Sequence, residues 1–190
     1  MIVLIASLVV SANTSAKVLV ENCRAMIPSN VVLEGRIVMR NRRGIPVKEH
    51  SYRLERKDAK TSVSFDGNGY VMPSSTAERV LGTDIAVSDL TLDYLWWDDF
   101  SFDEERDGES VHGQKCAVVL MRKGERTVKV WVDRKTGSIM QAEEMSGGKC
   151  IRRMWGTRIK KFGDRWMANV MEVETVGSGH RTKITVEDLK

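Results

Sequence analysis

The sequence predicts an α+β fold that is mainly β: a curved antiparallel sheet, or partial barrel, with two or three short helices near its front. Three observations carry this. Apolar residues recur with a period of two through most of the chain. Turn signals separate segments of strand length rich in Val, Ile, Trp, Met and Thr. Helical spacing is confined to a few short stretches, with none of the strand–helix alternation of a doubly wound fold.

The first residues come before the sheet. Met1 to Val10 form a charge-free apolar run, followed by a small polar stretch ending at Ala16. This is the length of an export signal and is too short to span a bilayer comfortably. Thr14 and Ala16 occupy the −3 and −1 positions of the expected cleavage site. Residues 1–16 are therefore expected to be a signal peptide and 17–190 a single domain, placed in an exported compartment. A structural N-terminal strand is the alternative.

From Lys17 to Ile27, Leu19, Cys23, Met26 and Ile27 fall at helical spacing, and Pro28 ends the run. The period then changes to two. Leu33, Gly35, Ile37 and Met39 alternate with Glu34, Arg36, Val38 and Arg40, and a turn follows at Arg42-Arg43-Gly44. Tyr52 and Leu54, then Val63 and Phe65, continue the pattern up to an Asp66-Gly67 hairpin signal. Ser75-Thr76-Ala77-Glu78 has capping-box spacing, and Gly82 is placed to end a short helix. Ser88-Asp89-Leu90 opens a second one running to Leu95. From Trp97 the meander resumes, with turns near Gly124, Gly137, Gly147, Gly163 and Gly177. About ten antiparallel strands in sequential order are expected.

The chemistry is sparse. Three histidines, His50, His112 and His180, read as solvated strand-edge residues, and no nucleophile elbow or protease-like cysteine context occurs. No catalytic residue is expected, and the chain reads as non-enzymatic. No pair of ligands is spaced for zinc. Asp103, Glu105, Asp107 and Gly108 match the start of a calcium loop, but position 12 is Gln114, which cannot supply the bidentate carboxylate. No metal and no cofactor are expected. With 30 Lys+Arg against 26 Asp+Glu, the formal charge of +4 is too weak a bias for a nucleic-acid partner. Cys116 and Cys150 fall on strands with two others between them. Three steps of about 4.8 Å put them about 14 Å apart, beyond the roughly 7 Å Cα limit of a disulfide. Buried free thiols are the preferred reading of all three cysteines, Cys23 included.

The densest charge is the basic cluster Lys149, Arg152, Arg153, Arg158, Lys160, Lys161 and Arg165. It reads as exposed alternating strand positions or as a docking surface for anionic head groups or an acidic partner. Of these, Arg152, Arg153, Arg158, Lys160, Lys161 and Arg165 are the docking candidates.

The C-terminal two-thirds resembles the outer-membrane lipoprotein-sorting family, the LolA/LolB-like periplasmic carriers. The resemblance is carried by Val87-Ser88-Asp89-Leu90, by Gly113-Gln114-Lys115-Cys116-Ala117-Val118-Val119-Leu120, and by Val128-Lys129-Val130-Trp131-Val132-Asp133. After these come Arg165 to Val173 and Thr182 to Val186, in the family's order. Where the family usually has Pro after the late tryptophan, Met167 stands here. The resemblance implies an unclosed β-barrel whose concave face is covered by short helices, and a monomer that works in the periplasm. It implies lipoprotein acyl chains or phospholipid as cargo, and an inner-membrane lipoprotein-releasing transporter as partner. It casts Leu33, Ile37, Met39, Tyr52, Leu54, Val63, Phe65, Trp96, Trp97, Phe100 and Phe102 as the apolar cavity wall, although the same residues would equally form a dry core. An envelope sensor or scaffold module that binds a protein partner on the same fold is the alternative function.

Overall fold

The computed structural model describes residues 15–58, 60–71, 75–163 and 165–190. The apolar run of residues 1–14 lies outside them. Ser15 caps the first helix, α1 (Ala16–Ala25), by accepting from the Val18 amide at 3.3 Å, so the expected cleavage point after Ala16 falls inside this helix. Leu19, Val20 and Cys23 form its buried stripe, as the spacing predicts.

Four strands follow: β1 (Val31–Asn41), β2 (Pro46–Lys57), β3 (Lys60–Phe65) and β4 (Asn68–Tyr70). After a covering segment come β5 (Asp99–Phe102), β6 (Ser110–Val111), β7 (Gln114–Lys123), β8 (Arg126–Asp133), β9 (Ile139–Ser146), β10 (Lys149–Phe162), β11 (Arg165–Thr175) and β12 (His180–Leu189). Among the described residues these make one antiparallel sheet in the order β4-β3-β2-β1-β12-β11-β10-β9-β8-β7-β5, with β6 paired to β7. The sheet is unclosed: β4 and β5 are its two ends. The expectation of strictly sequential order fails at one place, because β1 pairs with β12, nine pairs from Leu33↔Leu189 to Asn41↔His180. That long-range pairing joins two meanders into one surface.

One face of the curl is covered by α1, by the segment from Thr76 onward, by the short helix α2 (Val87–Thr91) and by a 3₁₀ turn (Asp93–Trp96). Leu19, Leu33, Ile37, Leu54, Val80, Ile85, Tyr94 and Met121 belong to a single cluster there, each 3% exposed or less. The outer face carries a smaller cluster of Val111, Cys116, Val118 and Trp131 under the β6 hairpin, so β7 and β8 are buried on both sides.

The expected helix at Ser75–Gly82 does not form. Glu78 does donate to Ser75 O at 3.1 Å, which is the turn that the local spacing signals. Beyond it Val80 bonds to Ile85 O at 2.9 Å and Val87 to Glu78 O at 3.2 Å, around a turn with Leu81 and Gly82 at φ 55° and 61°. That hairpin-like loop buries Val80 and Ile85 together, at 1% and 0% exposure. A helix of one and a half turns offers no comparable apolar burial.

Curvature is built at bulges. The β1–β12 register shifts between Glu34 and Gly35, and a Cβ on Gly35 would lie 1.9 Å from Thr185 O. The β10–β11 register shifts on both sides of Arg158, next to Gly156, where a Cβ would meet that of Ala168 at 3.3 Å. Gly35→Ala forces the two backbones of the joining pair apart and is expected to cost about 1–3 kcal/mol, the range of overpacking, read as a lowered urea midpoint.

Candidate functional site

The covering segment stops short of one end of the sheet, and an open groove of about 500 Å³ lies there. Its walls come from four places. The turn after α1 gives Ile27, Pro28 and Ser29, and β2 and β3 give Arg56 and Thr61. The covering segment gives Thr76 and Thr91, and the 3₁₀ turn gives Asp93 and Trp96. Beneath it a void of about 10 Å³ reaches the interior between Leu33, Leu54, Leu90 and Leu92.

Arg56 is the side chain that organises the groove. It continues the inward-facing series Tyr52, Leu54 along β2, an arginine where the period calls for an apolar residue. Its guanidinium donates to Thr91 O at 2.9 Å and to Thr61 Oγ1 at 3.3 Å, and stacks over the Trp96 ring at 5.2 Å. It has no carboxylate partner among the described residues, and burial holds its pKa below the ordinary value. Trp96 is 46% exposed beside it.

Behind the groove, arginines fasten the cover to the sheet. Arg152 on β10, 6% exposed, bonds the Asp89 carboxylate of α2 and donates to Glu144 on β9 at 3.0 Å. Asp89 also accepts from the Ala86 amide at 2.7 Å, so one carboxylate caps α2 and anchors it. Burial disfavours the charged form of Arg152, but Asp89 and Glu144 outweigh it and hold the guanidinium above its ordinary pKa. Arg126 on β8 donates to Thr76 Oγ1 at 2.9 Å and lies over Trp97 at 5.0 Å. Arg24 of α1 donates to the carbonyls of Leu95 and Trp97, at 2.6 and 3.2 Å, and lies over Phe100. On the far side, Thr182 Oγ1 donates to Asp84 at 2.9 Å.

The sequence-derived candidates separate accordingly. Leu33, Ile37, Met39, Tyr52, Leu54, Val63, Phe65 and Trp97 are buried, and Phe100 and Phe102 are half-buried against the same core. Trp96 alone of the eleven lines the groove, with Leu33 and Leu54 on the void below it. Of the docking candidates, Arg152 is interior and so is not part of an exposed surface. It stands two residues before Met154 on β10 and so shares that residue's buried face. Arg153 is fixed to the buried Glu143 at 2.6 Å. Arg158, Lys160 and Lys161 are exposed, and Arg165 opens β11. Arg56, Arg126 and the Asp89–Arg152 pair were not singled out from sequence. For Arg56 the signal was there, as a charge on the apolar face of a strand.

The reactive groups are spent on structure. His50 Nδ1 lies 2.7 Å from Asp66, but Ser51 Oγ donates to Asp66 instead of His50, so no hydroxyl is bonded to a base there. Among the described residues no group of three or more His, Cys, Asp or Glu is placed to hold a metal. In the calcium-like loop Asp103 pairs with Lys129 at 2.7 Å, and Asp107 pairs with Arg134. All three cysteines are free. Burial pushes the Cys23 thiol up to about 12 and Cys116 up to about 11.

A family model described as "Uncharacterized protein" matches residues 70–190. No curated protein matches the sequence. Among solved structures, a LolA superfamily protein from Nitrosomonas europaea matches with a TM-score of 0.76 at 15% identity, over 93% of each chain. A domain named as an outer membrane lipoprotein-sorting protein, from Vibrio parahaemolyticus, matches at 0.71 and 13%, over 90% of each. A DUF1329 family protein from Desulfovibrio piger matches at 0.66 and 14%, over 94% of this chain and 93% of that one. These likenesses establish the fold.

Three outcomes follow from this geometry. Arg152→Ala leaves Asp89 buried without its cation, while Glu144 keeps Arg126 at 3.5 Å, and is expected to cost about 3–5 kcal/mol in urea denaturation. Arg36→Ala, which removes only surface pairs to Glu49 and Glu187, leaves the midpoint nearly unmoved. In native alkylation near pH 8, Cys23 and Cys116 stay unlabelled because their raised pKa values leave almost no thiolate. Both label once the chain is unfolded.

Proposed function

The chain belongs to the "Uncharacterized protein" family matched over residues 70–190 and has the LolA-superfamily fold; from that premise we propose that it is a non-enzymatic, exported carrier of acyl chains. The observation that carries this reading is the groove between the cover and the sheet end, where an exposed tryptophan and a half-buried arginine without a carboxylate partner among the described residues stand beside Ile27 and Pro28. Trp96 and Ile27 offer apolar surface to a chain, and Arg56 offers charge to a polar head or ester. Each CH₂ removed from water contributes about 0.8 kcal/mol, so a short length of chain suffices for reversible binding. The cargo would be lipoprotein acyl chains or phospholipid, with delivery from an inner-membrane lipoprotein-releasing transporter and a periplasmic site of action.

The packed interior supports a second reading, a sensor or scaffold module that binds a protein partner on this fold. The inward residues of β1 to β3 already fill the curl, so deep entry of cargo requires the cover to lift off Arg152 and Arg126.

Organic extraction and native mass spectrometry of the exported protein separate the two. The carrier reading expects a stoichiometric acyl species, recovered as purified or after incubation with diacyl lipid. Trp96→Ala is expected to weaken that binding about ten-fold, the equivalent of about 1.4 kcal/mol. A chain that stays free of lipid under both conditions would sink the carrier reading and leave the partner-binding one. The same spectrum gives the mature mass and hence the cleavage point.

A further inference from the structure

The end of the sheet that holds the groove mouth carries a second feature, which does not depend on the cargo. We propose that this end is a docking face for an anionic lipid bilayer. Strand pairing brings two hairpins together there. β2 ends and β3 begins at Lys57↔Lys60, next to Arg56, which is paired with Val31 at the start of β1. Val32 and Lys190 exchange backbone hydrogen bonds of 2.9 and 3.0 Å, which places the end of β12 on the same rim. Beside it lies the β10–β11 hairpin. Its β10 arm is paired with β9 only as far as Trp155, and β11 with β12 only from Val170 to Val173. In the sheet order β3-β2-β1-β12-β11-β10 the two hairpins flank β1 and β12 at the same end of the strands.

Lys57 and Lys60 on one hairpin, and Arg158, Lys160 and Lys161 on the other, are all exposed. None lies within ion-pair distance of a carboxylate among the described residues. Arginines along the middle of the sheet behave differently: Arg36, Arg53 and Arg181 each hold one or two carboxylates. On the rim itself Glu34 and Asp188 are taken up by Lys190, at 2.9 and 3.0 Å, leaving Asp58 as the exposed carboxylate without a cation among the described residues. Two large apolar side chains stand among these charges, Ile159 at 54% exposure and Trp96 at 46%.

A basic rim carrying apolar side chains complements a bilayer in two ways. The anionic surface potential attracts the cations, and the interface accepts isoleucine and tryptophan. Neither attraction holds firmly alone, so the contact is reversible and weakens with salt. In the docked orientation the groove mouth faces the membrane.

Vesicle co-sedimentation of the full chain tests the proposal, with phosphatidylcholine vesicles against vesicles containing about one-third phosphatidylglycerol, each at low and high salt. Sedimentation is expected only with phosphatidylglycerol, and it should fall as salt rises. Neutralising Lys160→Gln and Lys161→Gln together is expected to weaken partitioning roughly thirty-fold, about five-fold per cation near the surface. Neutralising Arg42→Gln and Arg43→Gln removes the same charge from the β1–β2 turn at the opposite end and should change little; denaturation midpoints confirm that both variants fold. Equal loss in the two variants, equal binding to both vesicle types, or no binding to either would overturn the docking face. None of these outcomes bears on whether extracted protein carries an acyl chain, so the carrier reading stands or falls separately.

Discussion

The contact between Arg152, Asp89 and Glu144 is the point on which the arrangement turns. An unclosed sheet with an apolar concave face must be covered, and the cover here is too short to hold its own shape. α2 has five residues and the 3₁₀ turn four, well below the length at which a helix is stable by itself. Asp89 therefore does two things, capping α2 through the Ala86 amide and pairing with a guanidinium that rises from the sheet. Burying three charges together is costly, and an apolar trio of the same volume could be as stable. What the ion cluster supplies is position: it fixes where α2 lies over β9 and β10, and with it the line along which the cover ends.

The groove is the consequence of that line. Covering segments seated by Arg152, Arg126 and Arg24 reach as far as Thr91 and Trp96, while β2 and β3 continue past them to Lys57 and Lys60. Beneath the strip left over, Leu33 and Leu54 are buried and line only a void of about 10 Å³, with Arg56 at its edge. Arg56 bonds a backbone carbonyl and a threonine hydroxyl in place of a carboxylate, so its charge is positioned without being neutralised. Arg152, by contrast, is neutralised twice over. The two arginines show how the same residue type serves as a fastener in one place and as a recognition group in another.

How much of this was legible follows from which forces are local. The period-two runs of β1, β2 and β3, and the turns along the chain, were readable because alternation and turn chemistry are properties of neighbouring residues. The β1–β12 pairing was not, since nothing within either strand names a partner about 150 residues away. The capping-box spacing at Ser75 misled for the same reason: Val80 and Ile85 are drawn into a core assembled from distant strands, and that burial outweighs a local turn preference. Arg152 was read as exposed because it is charged, although it stands two residues from both Cys150 and Met154 and so shares their inward face. Arg56 needed no structure at all, since it stands in register with Tyr52 and Leu54.

Net charge hides the organisation that matters most. A formal +4 spread over 190 residues is a weak bias, and read as a single number it argues only against a nucleic-acid partner. The structure separates the cations into two populations. Arg36, Arg53, Arg126, Arg152, Arg153 and Arg181 are matched to carboxylates across neighbouring strands, as cross-strand pairing favours. The hairpins at both ends of the strands, Lys57 and Lys60 at the groove end and Arg42 and Arg43 at the other, hold cations with no carboxylate partner among the described residues. Unmatched cations at a strand end cost little in water, and they also keep free strand edges from pairing with another chain. That second role alone would suit any exposed edge. It does not require Ile159 to stand exposed between Arg158 and Lys160, because an exposed branched aliphatic works against edge protection. Ile45, Val47 and Val176 are exposed near the β1–β2 turn at the opposite end as well, so what distinguishes this rim is that its charge and apolar exposure lie at the mouth of the groove lined by Ile27 and Trp96.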